Sequence, residues 1–378
     1  MAEAADILIF AEDPGAAHYA APLAAALAEP GWRAVVYAAG LAGNVLRQRQ
    51  IPFVPVDGSM TPRSILAQVQ PRCLLTGTSE NPDSLGLRLT YEAQRSGITT
   101  AAFIDAGMNA AYRFRGRRAE PLAYAPDWIL VPDEWTKNQF IQAGASADRT
   151  VVCGHPHYDY VLNLSRTWTA KEREQMRERL LPGLQKQQQV VVFLSEGSAR
   201  LSLLSSPPSP SEYTMQGRGK STGRTEIIIE EFLAAVQTLP QRPCLVLRLH
   251  PKDQADDFQA YGAEFDHIDQ ASPPLELVFC ADLVVGMTSM LLLEAALLGR
   301  PTLAILPRRE ERDWLPTVRQ GVTPCVIDRS DLVVRLADLL QDGGCASTGL
   351  GSCVPEGSLR RIVDFVERIM LPGRRAGS

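Results

Sequence analysis

Two short stretches carry the residues best suited to chemistry, and both stand at the ends of apolar runs. The first is Cys244-Leu245-Val246-Leu247-Arg248-Leu249 followed by His250-Pro251-Lys252-Asp253. It has the pattern of a strand that delivers an imidazole and a cation at its carboxyl end, with the histidine held by a proline. The second is Ala281-Asp282-Leu283-Val284-Val285-Gly286, then Met287-Thr288-Ser289, then the apolar Met290 to Leu298, closed by Gly299-Arg300-Pro301. That is strand, small-residue turn, helix, and glycine C-cap before proline. In a parallel α/β sheet, ligands bind beyond the carboxyl ends of the strands, and a helix start with hydroxyls and free N–H groups favours an anion. Thr288 and Ser289 therefore stand where a phosphate would be held. Glu294, about one and a half turns further on, is placed to accept hydrogen bonds from a ribose. Phosphate and ribose together make a nucleotide.

These two units resemble the nucleotide-sugar domain of the GT-B glycosyltransferases and their relatives. His250-Pro251 resembles the His-Pro motif of bacterial sialyltransferases and of the glycerophosphotransferases of teichoic acid synthesis. Gly286, Ser289, Glu294, Gly299 and Pro301 match the Gly, Ser, Glu, Gly, Pro frame of that domain. The resemblance implies a GT-B architecture: two Rossmann-like doubly wound α/β domains facing a cleft. Gly15, Gly154, Gly197, His250 and Ser289, all following expected strands, would line that cleft.

Structural roles compete with each of these. A histidine after a strand can be a satisfied structural residue, and Thr288 and Ser289 can simply cap a helix. Glu294 lies inside Met-Leu-Leu-Leu-Glu-Ala-Ala-Leu-Leu, where a carboxylate needs a partner.

The elements that must position these residues alternate along the chain. Asp6 to Phe10 is a strand, followed by the turn Ala11-Glu12-Asp13-Pro14-Gly15-Ala16-Ala17-His18 and an alanine-rich helix. The turn lacks a full G-x-G-x-x-G, which argues against a dinucleotide site. Further strands are expected at 32–38, 53–56, 73–77, 99–104, 127–132 and 149–153, with helices between. The run Arg113 to Arg118 reads as a solvated basic loop, or as a patch for an anionic acceptor or membrane surface. Gly154, Pro156 and Asp159 match a glycine-proline-aspartate turn that lines the cleft in the resembled families. The expected boundaries are a first domain over 1–165, a linker over 166–189, a second domain over 190–355, and a last helix within 356–378 that returns to the first domain.

Residues 199–225, rich in Ser, Pro and Gly and without apolar period, read as a mobile insertion or lid. Gly217 to Thr222 imitates a P-loop, but position 214 is Thr where the first glycine belongs. Glu196, Gly197 and Ser198 follow the strand 190–194 and add a third phosphate contact. With Gly15, Arg248, His250, Lys252, Thr288, Ser289 and Glu294, they make up the expected donor-binding set.

Transfer of a sugar needs a grip on the leaving phosphate, a base and a dry cleft. His250, Lys252 and the helix start supply the grip without a metal or cofactor, the nucleotide-sugar being a co-substrate. Asp253 and Asp282 read as loop and strand-start residues. By resemblance to the acidic pair of bacterial sialyltransferases, Asp13 is the expected base, with His18 and Asp105 as alternatives; Asp13 with Pro14 also reads as a plain helix N-cap. The expected activity is a metal-independent, inverting glycosyltransferase using a UDP-, CMP- or CDP-linked donor and an unidentified acceptor. The alternatives are a nucleotide-sugar epimerase of the same fold and a non-catalytic nucleotide-binding protein.

Composition bounds the rest. The 378 residues suffice for two domains, and 45% hydrophobic with 21% charged residues is ordinary for a globular protein. A net charge of −5 argues against nucleic acid as partner. Seven scattered cysteines read as reduced thiols. With no apolar span of membrane length and no cationic leader, the expected location is cytoplasmic. Self-association as a homodimer is left open.

Overall fold

The computed structural model describes residues 4–79, 81–185, 187–197, 213–221, 223–341 and 354–371. The chain separates into two compact units, Met1–Tyr160 with Val354–Ser378, and Val161–Cys353.

The first unit is built on β1 (Ile7–Ala11), β2 (Ala34–Ala38), β3 (Val54–Pro55), β4 (Cys73–Gly77), β5 (Thr99–Phe103), β6 (Trp128–Val131) and β7 (Thr150–Val152). These strands form one parallel sheet in the order β3-β2-β1-β4-β5-β6-β7. Parallel strands joined by helical crossovers are covered on both faces, so the central strands are continuous apolar runs. Ile7, Ile9 and Leu75 pack on one side with Tyr19 and Leu23; Leu8, Phe10 and Leu74 pack on the other with Ile65 and Leu89. The helix Ser358–Met370 closes the first of these cores with Ile362, Phe365 and Val366.

The second unit holds β8 (Val190–Leu194), β9 (Cys244–Arg248), β10 (His267–Asp269), β11 (Leu283–Gly286), β12 (Thr302–Ile305) and β13 (Cys325–Val326). Its parallel sheet has the order β10-β9-β8-β11-β12-β13. In both sheets the winding direction reverses at one place, between β1 and β4 and between β8 and β11. Crevices for ligands open beyond the carboxyl ends of the strands at such switch points.

Several expectations change at this level. The turn of Gly154, Pro156 and Asp159 is a docking point for the C-terminal helix. Asp159 accepts hydrogen bonds from the backbone N–H groups of Gly357 (3.1 Å), Ser358 (2.7 Å) and Leu359 (3.4 Å), so it caps that helix from a distance in sequence. Gly154 has φ +78°, and a Cβ there would lie 2.3 Å from the Ser358 hydroxyl. Both residues are accounted for by helix docking.

The charged helix expected over Thr169 to Leu181 within the linker stretch is present as Ala170–Leu180, and it belongs to the second unit. Its Arg173 and Arg177 donate to the carbonyls of Phe279, Cys280 and Ala281 at the end of the helix Pro274–Cys280, and both pair with Asp282. Those donors satisfy carbonyls that a helix end leaves open.

Residues 213–221, expected as part of an unpinned insertion, are tied down. Met215 is buried, Thr214 N–H donates to Pro307 O (2.8 Å), and the N–H of Gly217 donates to Glu231 (2.8 Å). Residues 199–212 and 222 of that insertion, and Ser198, lie outside the described residues. Among the described residues no helix is long and apolar enough to cross a membrane.

The cap role of Asp159 has a measurable consequence. Asp159→Ala should lower the unfolding free energy of the first unit by about 1–2 kcal/mol, the usual cost of a lost helix cap. Urea titration of the full chain checks it, and a variant as stable as the parent would contradict the capping role.

Candidate functional site

In the second unit, the loops after β8, β9 and β11 meet at the switch point. Gly286 allows the close pairing of β11 with β8, since a Cβ there would lie 3.3 Å from Leu194 Cβ. The Ser195 hydroxyl donates to Asp253 (2.7 Å) and accepts the N–H of His250 (2.7 Å). Asp253, expected as a plain loop residue, is buried and fixes the His-Pro turn through this pair. The His250 ring accepts at Nδ1 from the N–H of Lys252 (3.2 Å). A neutral ring in that arrangement carries its proton on Nε2, as a donor. Arg248, expected to bind the donor, pairs instead with Asp269 of β10, and its side chain is mostly buried. Its role is to join β9 to the sheet edge.

The helix start after β11 is where the structure departs most from expectation. Ser289 is the N-cap of the helix Met290–Leu297, its hydroxyl accepting from Leu291 N–H (3.3 Å). The N–H groups of Met287 (3.0 Å), Thr288 and Ser289 (2.5 Å) all donate to one oxygen, Glu196 Oε1. Glu196 Oε2 takes the Thr288 hydroxyl (2.7 Å) and the Arg224 guanidinium (3.0 Å). Glu196, expected to contact a phosphate, thus stands in the place of one, because an anion there gains three N–H donors and the positive end of the helix. Gly197 follows with φ +81°. Glu294 lies within the same helix, partly exposed.

Arg224 links this arrangement to the core. It pairs with Glu196 and with Glu311, which is fully buried and also pairs with Arg308 (2.8 Å). Burial alone would lower the basicity of Arg224; the carboxylates of Glu196 and Glu311 outweigh it and raise the guanidinium above its ordinary value. Sequence patterning missed this residue because it borders the Ser/Gly-rich stretch. A helix is expected from sequence only over Glu226 to Thr238, after the arginine, and nothing in that pattern names the partners of Arg224.

In the first unit, the loops after β1, β4 and β5 converge in the same way. Glu12 accepts from the Ser84 hydroxyl (2.8 Å) and Leu85 N–H (3.1 Å), so it helps start the helix Leu85–Arg95. Asp13 is the N-cap of the helix Pro14–Ala20, with Pro14 at the first helical position and no capping hydrogen bond from its side chain. Gly15 packs against the carboxylate of Asp105: a Cβ at 15 would lie 1.9 Å from Asp105 Oδ2. Asp105 Oδ1 accepts from Ala106 N–H (3.0 Å) and Arg113 Nη1 (2.9 Å).

Arg113, expected in a solvated loop, is buried and also donates to Thr78 Oγ1 (3.2 Å) and Ala106 O (3.1 Å). It is the second residue sequence patterning missed, hidden by the arginines that follow it. Asp13 and Gly15 thus stand in the turn after β1 and Asp105 after β5, with Asp105 held in a fixed geometry by a buried cation.

His18 packs against His157, with ring centroids 4.4 Å apart and planes tilted by 31°, and lies 3.5 Å from an Arg49 nitrogen. Burial, then His157, Arg49 and His155, hold the His18 imidazole well below its usual range; burial and His157 do the same to His155. Among the described residues no group of three or more His, Cys, Asp or Glu could hold a metal ion.

No family model matches the chain, and no curated protein does. Solved structures do. The UDP-GlcNAc 2-epimerase of Neisseria meningitidis, bound to UDP-GlcNAc, matches with a TM-score of 0.66 at 14% identity, over 97% of this chain and 100% of that one. The corresponding enzyme of Methanocaldococcus jannaschii, in complex with UDP-GlcNAc and UDP, matches at 0.64, 14% identity and the same coverage. The wall teichoic acid polymerase TagF matches at 0.56 and 12% identity, over 97% of this chain and 89% of that one. With its two doubly wound parallel sheets, the chain has the GT-B fold.

The histidine cluster makes the first unit acid-sensitive. Unfolded histidines titrate near 6.5 and the folded ones lower, so the stabilisation is complete above about pH 6.5. It should fall below that by about 1.4 kcal/mol per pH unit for each of His18 and His155. Urea unfolding of the parent and His18→Gln between about pH 7.5 and 5.5 checks this: the variant should show the shallower dependence, and equal slopes would contradict the burial argument.

Proposed function

We propose that this protein is an enzyme acting on a nucleotide-linked sugar, and that its reaction is epimerisation of that sugar. The observation that carries this is Asp105, held by Arg113 and packed on Gly15. Inverting a sugar carbon beside the anomeric centre by proton exchange requires one group to take the C–H proton, the electron pair forming a C=C bond as the anomeric C–O bond to the nucleotide phosphate breaks. A second group returns a proton on the opposite face as that C–O bond re-forms, so composition is unchanged. Asp105 is the proposed base, and Asp13, in the turn after β1, the candidate for the second group. A fixed carboxylate acting on a proton in the transition state contributes roughly 10²- to 10⁴-fold to rate.

Nucleotide recognition is assigned to the second unit. His250, with Nε2–H as donor, contacts a phosphate oxygen, assisted by Lys252. Thr288 and Ser289 hold a phosphate at the helix start, and Glu294 takes the ribose hydroxyls. The likeness of fold to UDP-GlcNAc 2-epimerases supports a UDP-linked substrate first, with CMP- and CDP-linked sugars as the next to try. Transfer to an acceptor is the second reading, favoured by the likeness to TagF. In that case Asp13 or Asp105 deprotonates the acceptor hydroxyl, and His250 stabilises the leaving phosphate.

The two reactions separate in heavy water. UDP-GlcNAc incubated with the protein alone should yield an epimer carrying deuterium at the inverted carbon, followed by proton NMR. Nucleotide release that appears only when an acceptor is added, with no deuterium in the remaining donor, would establish transfer instead. Asp105→Asn should lose roughly 10²-fold or more in turnover while still binding nucleotide. Glu294→Ala should weaken nucleotide binding by roughly 1–3 kcal/mol, the range for a lost charged hydrogen bond.

A further inference from the structure

The donors that the proposed function assigns to a ligand phosphate are already occupied. Met287, Thr288 and Ser289 direct three N–H groups at Glu196 Oε1, and Thr288 Oγ1 and Arg224 serve Oε2. A carboxylate oxygen and a phosphate oxygen carry the same sign of charge and seek the same donors, so both cannot hold this place at once. Bringing a phosphate in beside Glu196 would put two anions on one set of N–H groups.

The neighbourhood is built so that Glu196 alone can leave. On one side Ser195 is anchored by Asp253 (2.7 Å) and by the carbonyl of Arg248 (3.2 Å). On the other, Gly197 supplies a backbone free of Cβ constraints, and its carbonyl accepts from Thr225 (2.9 Å). Arg224 also pairs with buried Glu311, an anchor that does not depend on Glu196.

We infer that Glu196 is an internal plug of the phosphate site: it occupies the helix start in the free protein and must swing out for a phosphate to bind. Arg224 then passes from the carboxylate to the incoming phosphate. The inference rests on the nucleotide-sugar reading of the second unit and adds a regulatory step to it. Its energetics are those of a two-state equilibrium, in which the apparent dissociation constant equals the intrinsic one divided by the open fraction. A plug seated about 99% of the time weakens binding about 100-fold, and removing it restores that factor.

The sign of the effect makes the test sharp, because a residue that contacts the ligand weakens binding when removed, whereas a plug strengthens it. Calorimetric titration of the full-length parent, Glu196→Ala and Glu196→Gln with pyrophosphate and with UDP is the experiment. The expected result is pyrophosphate binding at least about tenfold tighter in Glu196→Ala, with Glu196→Gln in between, since its amide oxygen still accepts N–H donors but carries no charge. Should Glu196→Ala fail to fold, the near-isosteric Glu196→Gln carries the test alone.

Pyrophosphate binding that is unchanged or weaker in a folded variant overturns the plug. Equal UDP affinity in all three proteins does so too, while leaving the nucleotide reading intact. Tighter pyrophosphate binding with no UDP binding in any of them keeps the plug and removes the nucleotide reading.

Discussion

All strands of each sheet run the same way, and most of what is distinctive about this protein depends on that. Parallel pairing obliges every connection to return to the opposite edge, so the loops leaving strand carboxyl ends gather along one edge of each sheet. Where the winding reverses, between β1 and β4 and between β8 and β11, adjacent helices depart to opposite faces and leave a crevice. Asp13, Gly15 and Asp105 reach one such edge from distant parts of the sequence; Glu196, His250 and Thr288 reach the other.

Around those crevices the chain buries charge in pairs. Glu311 is fully buried and shares Arg224 with Glu196; Arg113 is paired with Asp105; Arg248 with Asp269. Removing one partner of a buried pair costs several kcal/mol, because the other is left desolvated and alone. Such pairs are therefore sensitive to the geometry around them. They orient the groups that face the crevice more strictly than apolar packing would, which is how a carboxylate such as Asp105 is kept in one position.

The two units use their helix starts differently. In the first, Asp13 and Pro14 begin a short helix whose next residue, Gly15, makes room for the carboxylate of Asp105. In the second, the helix start after β11 is filled by a carboxylate from the loop after β8. An anion placed at a helix start is stabilising whether the chain or a ligand supplies it.

The alternation of apolar runs with glycine-marked turns determined the fold class, because strand and helix periods and the Gly299-Pro301 stop are properties of local sequence. The residues at strand ends, Asp13, Gly15, His250, Thr288 and Ser289, were legible for the same reason: a loop that follows an apolar strand in such a pattern can only open at the carboxyl edge. What local pattern could not carry was partnership over long separations. That Glu196 fills the helix start 91 residues on, that Asp159 caps a helix about 200 residues away, and that buried Arg113 and half-buried Arg224 pair with carboxylates were decided by tertiary structure alone. Charge pairing depends on distance in space and on exclusion of water, and neither is written in the spacing of residues along the chain.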